Sequence, residues 1–164
     1  MTKNKEYSLS TSDIQKLIPN ATILSYDQLE GIDFASVCPL VILYLHDNHY
    51  GHWTLITRRK NTIEFFDSYG YKPDRQFEYV KNHKLNFKSF PYVCDGLIKC
   101  AEQGYKVEFN QYQFQKDGAT CGRWVILRAS LQDMDIDTFY KKIESARASA
   151  RLSLDDLVCH LIPL

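Results

Sequence analysis

Neither sign of charge is in excess in this sequence. Its 20 lysines and arginines balance 20 aspartates and glutamates, so the formal net charge at pH 7 is zero. Proteins that bind nucleic acid usually carry a basic excess, and this composition therefore gives no support for DNA binding. The sequence has only 7 glycines and 5 prolines and contains no repeat or low-complexity segment. We expect residues 1–164 to form a single globular domain, since this length can bury a sizeable core.

Long hydrophobic runs are also missing. No segment approaches the roughly 20 apolar residues of a membrane-spanning helix, and the polar start, Met1 to Tyr7, predicts no secretion signal. The 5 cysteines are irregularly spaced and include no CxxC pair. This pattern predicts free thiols in a reducing compartment rather than a disulfide framework. The cysteines are Cys38, Cys94, Cys100, Cys121 and Cys159.

Three consecutive strands are the clearest elements. Pro39–Leu45 is a continuous apolar run, typical of a strand that is buried on both faces. His52–Thr57 and Thr62–Asp67 follow after short polar links, which predicts an antiparallel meander. Because neighbouring strands in a meander run in opposite directions, the start of the second and the end of the third lie at one sheet edge. His52 and Asp67 are therefore predicted neighbours.

A cysteine lies at the predicted start of a helix. Cys121 precedes an apolar series, Trp124 to Leu127, that has the composition of a buried helix running to about Leu131. The exposed N–H groups of a first helical turn favour an anion, so a thiolate at this position has a lowered pKa and is nucleophilic. On this stretch alone, a buried structural cysteine is the more common alternative.

The other segments predict further helices and two more strands, while residues 1–8 have no recognisable pattern and predict an irregular start. The predicted helices are Asp13–Ile18, Pro73–Asn82, Val93–Gln103, Asp137–Arg147 and Leu154–Leu161. Lys106–Gln115 predicts a strand, and Ala21–Leu29 predicts a strand that leads into a turn at Tyr26 to Leu29.

Four residues could supply the chemistry of a cysteine hydrolase. Such an enzyme needs a histidine that takes the thiol proton, a group that holds this histidine, and a donor to the oxyanion. His52, Asp67 and Cys121 can fill the first roles in the chain order His, Asp, Cys. Gln115 can donate its side-chain NH2 to the oxyanion beside the backbone N–H of Cys121. Each residue alone has a common structural explanation, but the four together are much harder to obtain by chance.

A metal site is the competing interpretation. His46, His49 and His52 recur every three residues, which on a helix would place them on one face. The turn-rich sequence around them predicts strand–turn–strand instead, and Cys94 and Cys100 lack zinc spacing. We therefore predict no metal site and no cofactor.

Three segments carry a resemblance to a known family: Gly51-His52-Trp53, Phe65 to Gly70, and Gln115 to Gly122. Together they resemble the adenovirus-proteinase and SUMO-deconjugase superfamily of cysteine peptidases. The forms Asp-Ser-Tyr-Gly and Cys-Gly-Arg-Trp look most like small maturation proteases of large DNA viruses, virophages and related mobile elements. The resemblance spans about residues 39–130. It implies an α+β fold with a mixed, mostly antiparallel central sheet flanked by helices, and the cysteine at the N-terminus of a central helix.

The resemblance also implies a role for each site residue. The base would be His52, its orienting partner Asp67, the oxyanion donor Gln115 and the nucleophile Cys121. Trp53 would flank a narrow channel that admits Gly-Gly, so that cleavage would follow glycine or alanine; a core aromatic is the alternative. The implied function is a monomeric cysteine endopeptidase that cleaves capsid or other virion precursor proteins during maturation. It would act in the host cytoplasm and in the virion, away from membranes.

Two features distinguish this chain from the larger members of the superfamily that it resembles. The adenovirus enzyme is associated with DNA and a peptide activator, and the zero net charge gives no support for a DNA activator here. Cellular deconjugases usually carry an extended surface for a ubiquitin-like partner, for which a chain of this length has little room. A deconjugase that cleaves Gly-Gly tails remains the alternative enzyme, and an inactive binding module with a peptidase fold is the alternative of another class.

Overall fold

A computed structural model describes residues 5–45, 51–75 and 90–164 of the chain. Five strands form one sheet in the order β1-β2-β3-β4-β5. The strands are β1 (Thr22–Ser25), β2 (Leu40–Leu45), β3 (Gly51–Arg59), β4 (Thr62–Asp67) and β5 (Lys106–Phe109). The α-helices are α1 (Thr11–Leu17), α2 (Phe34–Val37), α3 (Tyr92–Glu102), α4 (Cys121–Ser130), α5 (Ile136–Ala150) and α6 (Leu154–Leu161). The predicted α+β class with a mixed sheet is confirmed.

The antiparallel meander predicted for the centre of the sheet is also confirmed. Strands β2, β3 and β4 pair antiparallel, and β4 has the predicted bounds. The two edge strands, β1 and β5, pair parallel to their neighbours. The strand leading into a turn that was predicted for Ala21–Leu29 is present as β1, followed by a 3-10 helix at Tyr26–Gln28.

Helices cover both faces of the sheet, and two hydrophobic cores result. Val41 of β2 packs in the core that contains α4, whereas Leu40 and Ile42 pack in the core that contains α3. This alternation follows from the pleat of a strand, which sends successive side chains to opposite faces. The apolar run of β2 is therefore buried on both faces, as its sequence predicts.

Local signals set the helix ends within one to three residues of the predicted bounds. Ser10 caps α1 in a capping box with Asp13, and Ser153 caps α6. Helix α3 ends before Gly104, whose φ of +97° is a conformation that glycine adopts without strain. Most of the predicted helix Pro73–Asn82 lies outside the described residues, as do His46 and His49. None of the helices in the described ranges combines the length and hydrophobicity needed to cross a bilayer.

The prediction of one strand from Lys106 to Gln115 is wrong in its second half. Strand β5 ends at Phe109, and beyond it the side chain of Asn110 bonds to the backbone of Asp67 and Tyr112. Its Oδ1 accepts from the Tyr112 N–H at 2.8 Å, and its Nδ2 donates to the carbonyl of Asp67 at 2.8 Å. The following chain crosses the end of β4 and carries Gln115 to the site.

Candidate active site

The sulfur of Cys121 lies at the first residue of α4, a helix that is buried from Cys121 to Ala129. The residue before it, Thr120, occupies the N-cap position, but its side chain makes no capping hydrogen bond to the helix. The first N–H groups of α4 are therefore not used by a cap. The backbone N–H groups of Gly122 and Trp53 bond to the sulfur and favour its thiolate form.

The predicted contact between His52 and Asp67 is present. Thr54 of β3 pairs with Asp67 of β4, which makes His52 a diagonal neighbour of Asp67 on the same face. Nε2 of His52 lies 3.0 Å from Oδ1 of Asp67, and both residues are buried. The same carboxylate oxygen accepts the N–H of Tyr69 at 2.8 Å, which fixes its orientation. With Nε2 engaged, Nδ1 is the ring nitrogen left for the Cys121 thiol, to which His52 is hydrogen-bonded.

Charge and hydrogen bonding favour an ion pair between the histidine and the cysteine. Burial lowers the pKa of His52, but the charge of Asp67 and the hydrogen bonds to Asp67 and Cys121 outweigh it, raising the pKa to about 10. Burial raises the pKa of Cys121, but the hydrogen bond and charge of His52 and two backbone N–H groups bring it below its usual value. Both shifts favour a thiolate beside an imidazolium.

Ser68 fixes Gln115 beside the nucleophile. The backbone carbonyl of Ser68 accepts the Gln115 N–H at 2.9 Å, and its hydroxyl donates to Oε1 of the same glutamine at 2.7 Å. Nε2 of Gln115 donates to the carbonyl of Gly118 at 2.9 Å. A carboxamide carries two N–H hydrogens, so the second one can serve an oxyanion. Ser68 belongs to the Asp-Ser-Tyr-Gly motif, but no sequence pattern indicated that it holds Gln115.

A narrow cleft of about 60 Å³ opens over the sulfur. Its walls are small or polar residues apart from one tyrosine: Ser8, Gly51, His52, Tyr69, Gln115, Gly118, Ala119 and Cys121. Tyr69 stacks on the ring of His52 with 5.0 Å between ring centroids, which covers one face of the imidazole. The motif Asp-Ser-Tyr-Gly contains this tyrosine, but no sequence pattern indicated the stacking.

The indole of Trp53 lies in the core and does not line the cleft. Its side chain is 3% exposed, and Nε1 donates to the carbonyl of Leu9 at 3.0 Å. The predicted substrate contact of this indole would require Leu9 to move. In the structure, Trp53 serves the site through its backbone N–H, which bonds to the sulfur.

Lys5 to Ser8 form no helix or strand, as predicted, but hydrogen bonds hold this segment beside α4. Residues 1–4 are outside the described ranges. Three donors hold alternate carbonyls of this segment. The N–H of Ala119 donates to Lys5 at 2.7 Å, Arg123 donates to Tyr7 at 3.1 Å, and Trp53 donates to Leu9 as described above. The segment brings Ser8 to the cleft. These three bonds are made by main-chain carbonyls, which a sequence pattern of side chains does not indicate.

The ion pair predicts selective alkylation of one cysteine. We expect iodoacetamide at about pH 7 to modify Cys121 first, because the thiolate is the reacting species and only a lowered pKa maintains it there. Burial raises the pKa of Cys38 and of Cys94 to about 12 and also raises the pKa of Cys100 and Cys159. Peptide mass mapping after timed alkylation measures the order of labelling.

Asp67→Asn is the variant that tests the source of the low pKa. Because the charge of Asp67 raises the pKa of His52, its loss should weaken the imidazolium and move the midpoint of Cys121 alkylation to higher pH. Equal alkylation rates for Cys121 and Cys38, or a midpoint that does not move in the variant, would contradict the ion pair.

The chain has relatives among known proteins, although no protein-family model matches it. It is 34% identical over 166 residues to "Uncharacterized protein V9" of Sputnik virophage, an alignment that covers 94% of this chain and 93% of that protein. A shorter match, 31% identical over 68 residues, is to "Uncharacterized protein MJ0505" of Methanocaldococcus jannaschii.

Solved structures with a similar arrangement are the ASFV pS273R protease and the SUMO protease Ulp1. The ASFV protease gives a TM-score of 0.48 at 13% identity, with 81% of this chain aligned, and the chain spans 62% of its length. Ulp1 gives a TM-score of 0.43 at 13% identity, over 94% of this chain and 78% of its own. On its sequence identity and coverage, the chain belongs to the family of the virophage protein V9.

Proposed function

We propose that this protein is a cysteine endopeptidase that cleaves virion precursor proteins after small residues. One observation carries the proposal: His52 and Cys121 line the same cleft, and Nε2 of this histidine lies 3.0 Å from Oδ1 of Asp67. This is the nucleophile, base and orienting carboxylate that acyl transfer requires. All three residues come from one chain, which favours a monomer.

The chemistry follows from the positions of these groups. The Cys121 thiolate attacks the carbonyl carbon of the scissile bond, and the carbonyl oxygen becomes an oxyanion. Nε2 of Gln115 and the backbone N–H of Cys121 donate to it. The imidazolium of His52 gives its proton to the leaving amine as the C–N bond breaks, which leaves a thioester. His52 then takes a proton from water, the resulting hydroxide attacks the thioester, and the thiol is released with the acid product.

The walls of the cleft support a preference for small residues. The cleft over the sulfur holds only about 60 Å³, and Gly51, Gly118 and Ala119 form part of its walls. A substrate residue such as glycine or alanine fits this space, and so does a Gly-Gly tail. The narrow cleft therefore also favours a deconjugase as the second candidate.

The choice of virion precursors rests on the relative from a virophage. A protein of this family acting during particle assembly would meet its substrates in the host cytoplasm and remain with them in the virion. The capsid and other structural proteins of the same genome are therefore the proposed substrates.

A direct comparison of two substrate types tests the proposal. The purified protein is incubated with the structural proteins of its own genome and, separately, with a fluorogenic peptide ending in Gly-Gly. We expect cleavage of a structural protein after glycine or alanine, detected by N-terminal sequencing of the fragments. Cleavage of the Gly-Gly peptide alone would favour the deconjugase. Failure to cleave any of them, despite selective alkylation of Cys121, would favour a binding module.

A further inference from the structure

A buried carboxylate outside the catalytic group controls the loop that leads to the nucleophile. Asp155 lies in the first turn of α6 and is 2% exposed. Its Oδ2 accepts the backbone N–H groups of Lys116 and Asp117, each at 3.0 Å. Its Oδ1 accepts the hydroxyl of Thr120 at 2.6 Å. All three donors belong to the segment between the oxyanion donor Gln115 and the nucleophile.

The contact to Thr120 has a second consequence. Threonine at an N-cap usually accepts an N–H of the first helical turn through its hydroxyl oxygen. Thr120 has φ −92° and ψ 1°, outside the extended conformation of a capping residue; its hydroxyl donates to Asp155, and no capping bond forms. The first N–H groups of α4 thus remain for the sulfur and for an oxyanion.

We propose that Asp155 is a positioning residue that sets the oxyanion site by holding Lys116 to Thr120 and by keeping the Thr120 hydroxyl away from α4. The inference rests on the proposed function, because an oxyanion forms only if Cys121 attacks a carbonyl. Asp155 does not touch the sulfur or His52, so its removal should impair oxyanion binding without changing the thiolate.

Two reactions of the same cysteine separate these effects. Cleavage of a peptide and reversible binding of a peptide aldehyde both place negative charge on an oxygen and need the oxyanion donors. Alkylation by iodoacetamide is a direct displacement that forms no oxyanion and reports only the thiolate. The probes are the fluorogenic Gly-Gly peptide, or the cleaved structural-protein site as a fluorogenic peptide, and the aldehyde of the same sequence.

Asp155→Ala should lower kcat by about 100-fold, the effect of losing one well-placed oxyanion donor. The affinity for the aldehyde should fall in parallel, and KM, the alkylation rate and its pH midpoint should change less than about threefold. Asp155→Asn keeps a carbonyl for the two N–H groups and should recover much of kcat. Asp156→Ala is the matched control, since Asp156 is the next residue of α6 and pairs with Lys5 at 3.3 Å instead of with the loop.

Two further measurements keep the test valid if Asp155→Ala folds poorly. Thr120→Val removes only one of the three contacts and should lower kcat by about tenfold with unchanged alkylation. Hydrogen exchange at Lys116 and Asp117 should accelerate in Asp155→Ala but not in Asp156→Ala, whether or not a substrate is known. The positioning role would be overturned if Asp155→Ala had the same kcat as Asp156→Ala. It would also be overturned if alkylation of Cys121 fell as much as turnover.

A wild-type protein that cleaves no peptide counts against the proposed function. The exchange data then decide the positioning role separately.

Discussion

Cys121→Ala should abolish peptide cleavage while the protein stays folded. Removing the nucleophile of a catalytic group costs on the order of 10⁶ in kcat in comparable enzymes, so residual turnover should fall below detection. The substitution removes a single sulfur atom from a site that opens into the cleft, where Cys121 is 5% exposed, and it leaves the apolar contacts of α4 in place. Initial rates with the substrate that the wild type cleaves, and a thermal melt of each protein, measure the two parts of this prediction.

Cys159→Ala is the matched control for this experiment. Cys159 is as deeply buried, at 1% exposed, but its pKa is raised by burial and it lies on α6 away from His52. Its replacement should leave kcat within about twofold, although a small loss of stability is expected from the cavity. Turnover retained in Cys121→Ala, or lost equally in Cys159→Ala, would rule out Cys121 as the nucleophile.

Sequence reasoning located His52, Asp67 and Cys121 because each lies at the end of an element with a strong local pattern. Strand β4 has its predicted bounds since a polar turn precedes Thr62 and a turn follows Asp67. Short links then fix the pairing of β3 with β4, and the pairing places the histidine beside the aspartate. Helix α4 begins at the predicted residue because an apolar series follows a turn-prone segment.

These local patterns do not predict contacts between distant parts of the chain. Asp155 is an acidic residue in the first turn of a predicted helix, where its charge interacts favourably with the helix dipole. Nothing in the neighbouring sequence indicates a bond to Lys116, 39 residues earlier. The parallel pairing of β1 with β2 and the docking of Lys5 to Ser8 depend likewise on main-chain groups that meet only in the folded protein. Local patterns thus predicted the elements that carry His52, Asp67 and Cys121 better than the long-range contacts around them.

The most deeply buried ion pair of the described residues is another contact between distant parts of the chain. Arg128 of α4 and Glu64 of β4 are 0% and 1% exposed and form two hydrogen bonds, at 2.9 and 3.0 Å. Arg128 also donates to the carbonyls of Leu131 and Met134. The pair joins the nucleophile's helix to the strand that ends in Asp67.

Arg128→Met should therefore destabilise the protein more than any surface substitution. The variant leaves the Glu64 carboxylate buried without its main partner, which costs about 3–5 kcal/mol in comparable cases. Arg59 lies 3.9 Å from Glu64 and compensates only in part. For a chain of this size the loss corresponds to a fall of about 10 °C in melting temperature, which differential scanning calorimetry measures.

A double variant and a surface pair distinguish an unpaired charge from a simple loss of packing. Glu64→Leu combined with Arg128→Met should recover a substantial part of the lost stability, because the buried charge is then gone and the two carbonyls alone lose a donor. Arg147→Met, which breaks a half-exposed pair with Glu144, should cost less than about 1 kcal/mol. Below the melting transition, Arg128→Met should keep kcat within about threefold, since Arg128 lies roughly 10 Å along the helix from Cys121. If the melting temperature of Arg128→Met were as high as that of Arg147→Met, the Arg128–Glu64 pair would not anchor α4 to the sheet.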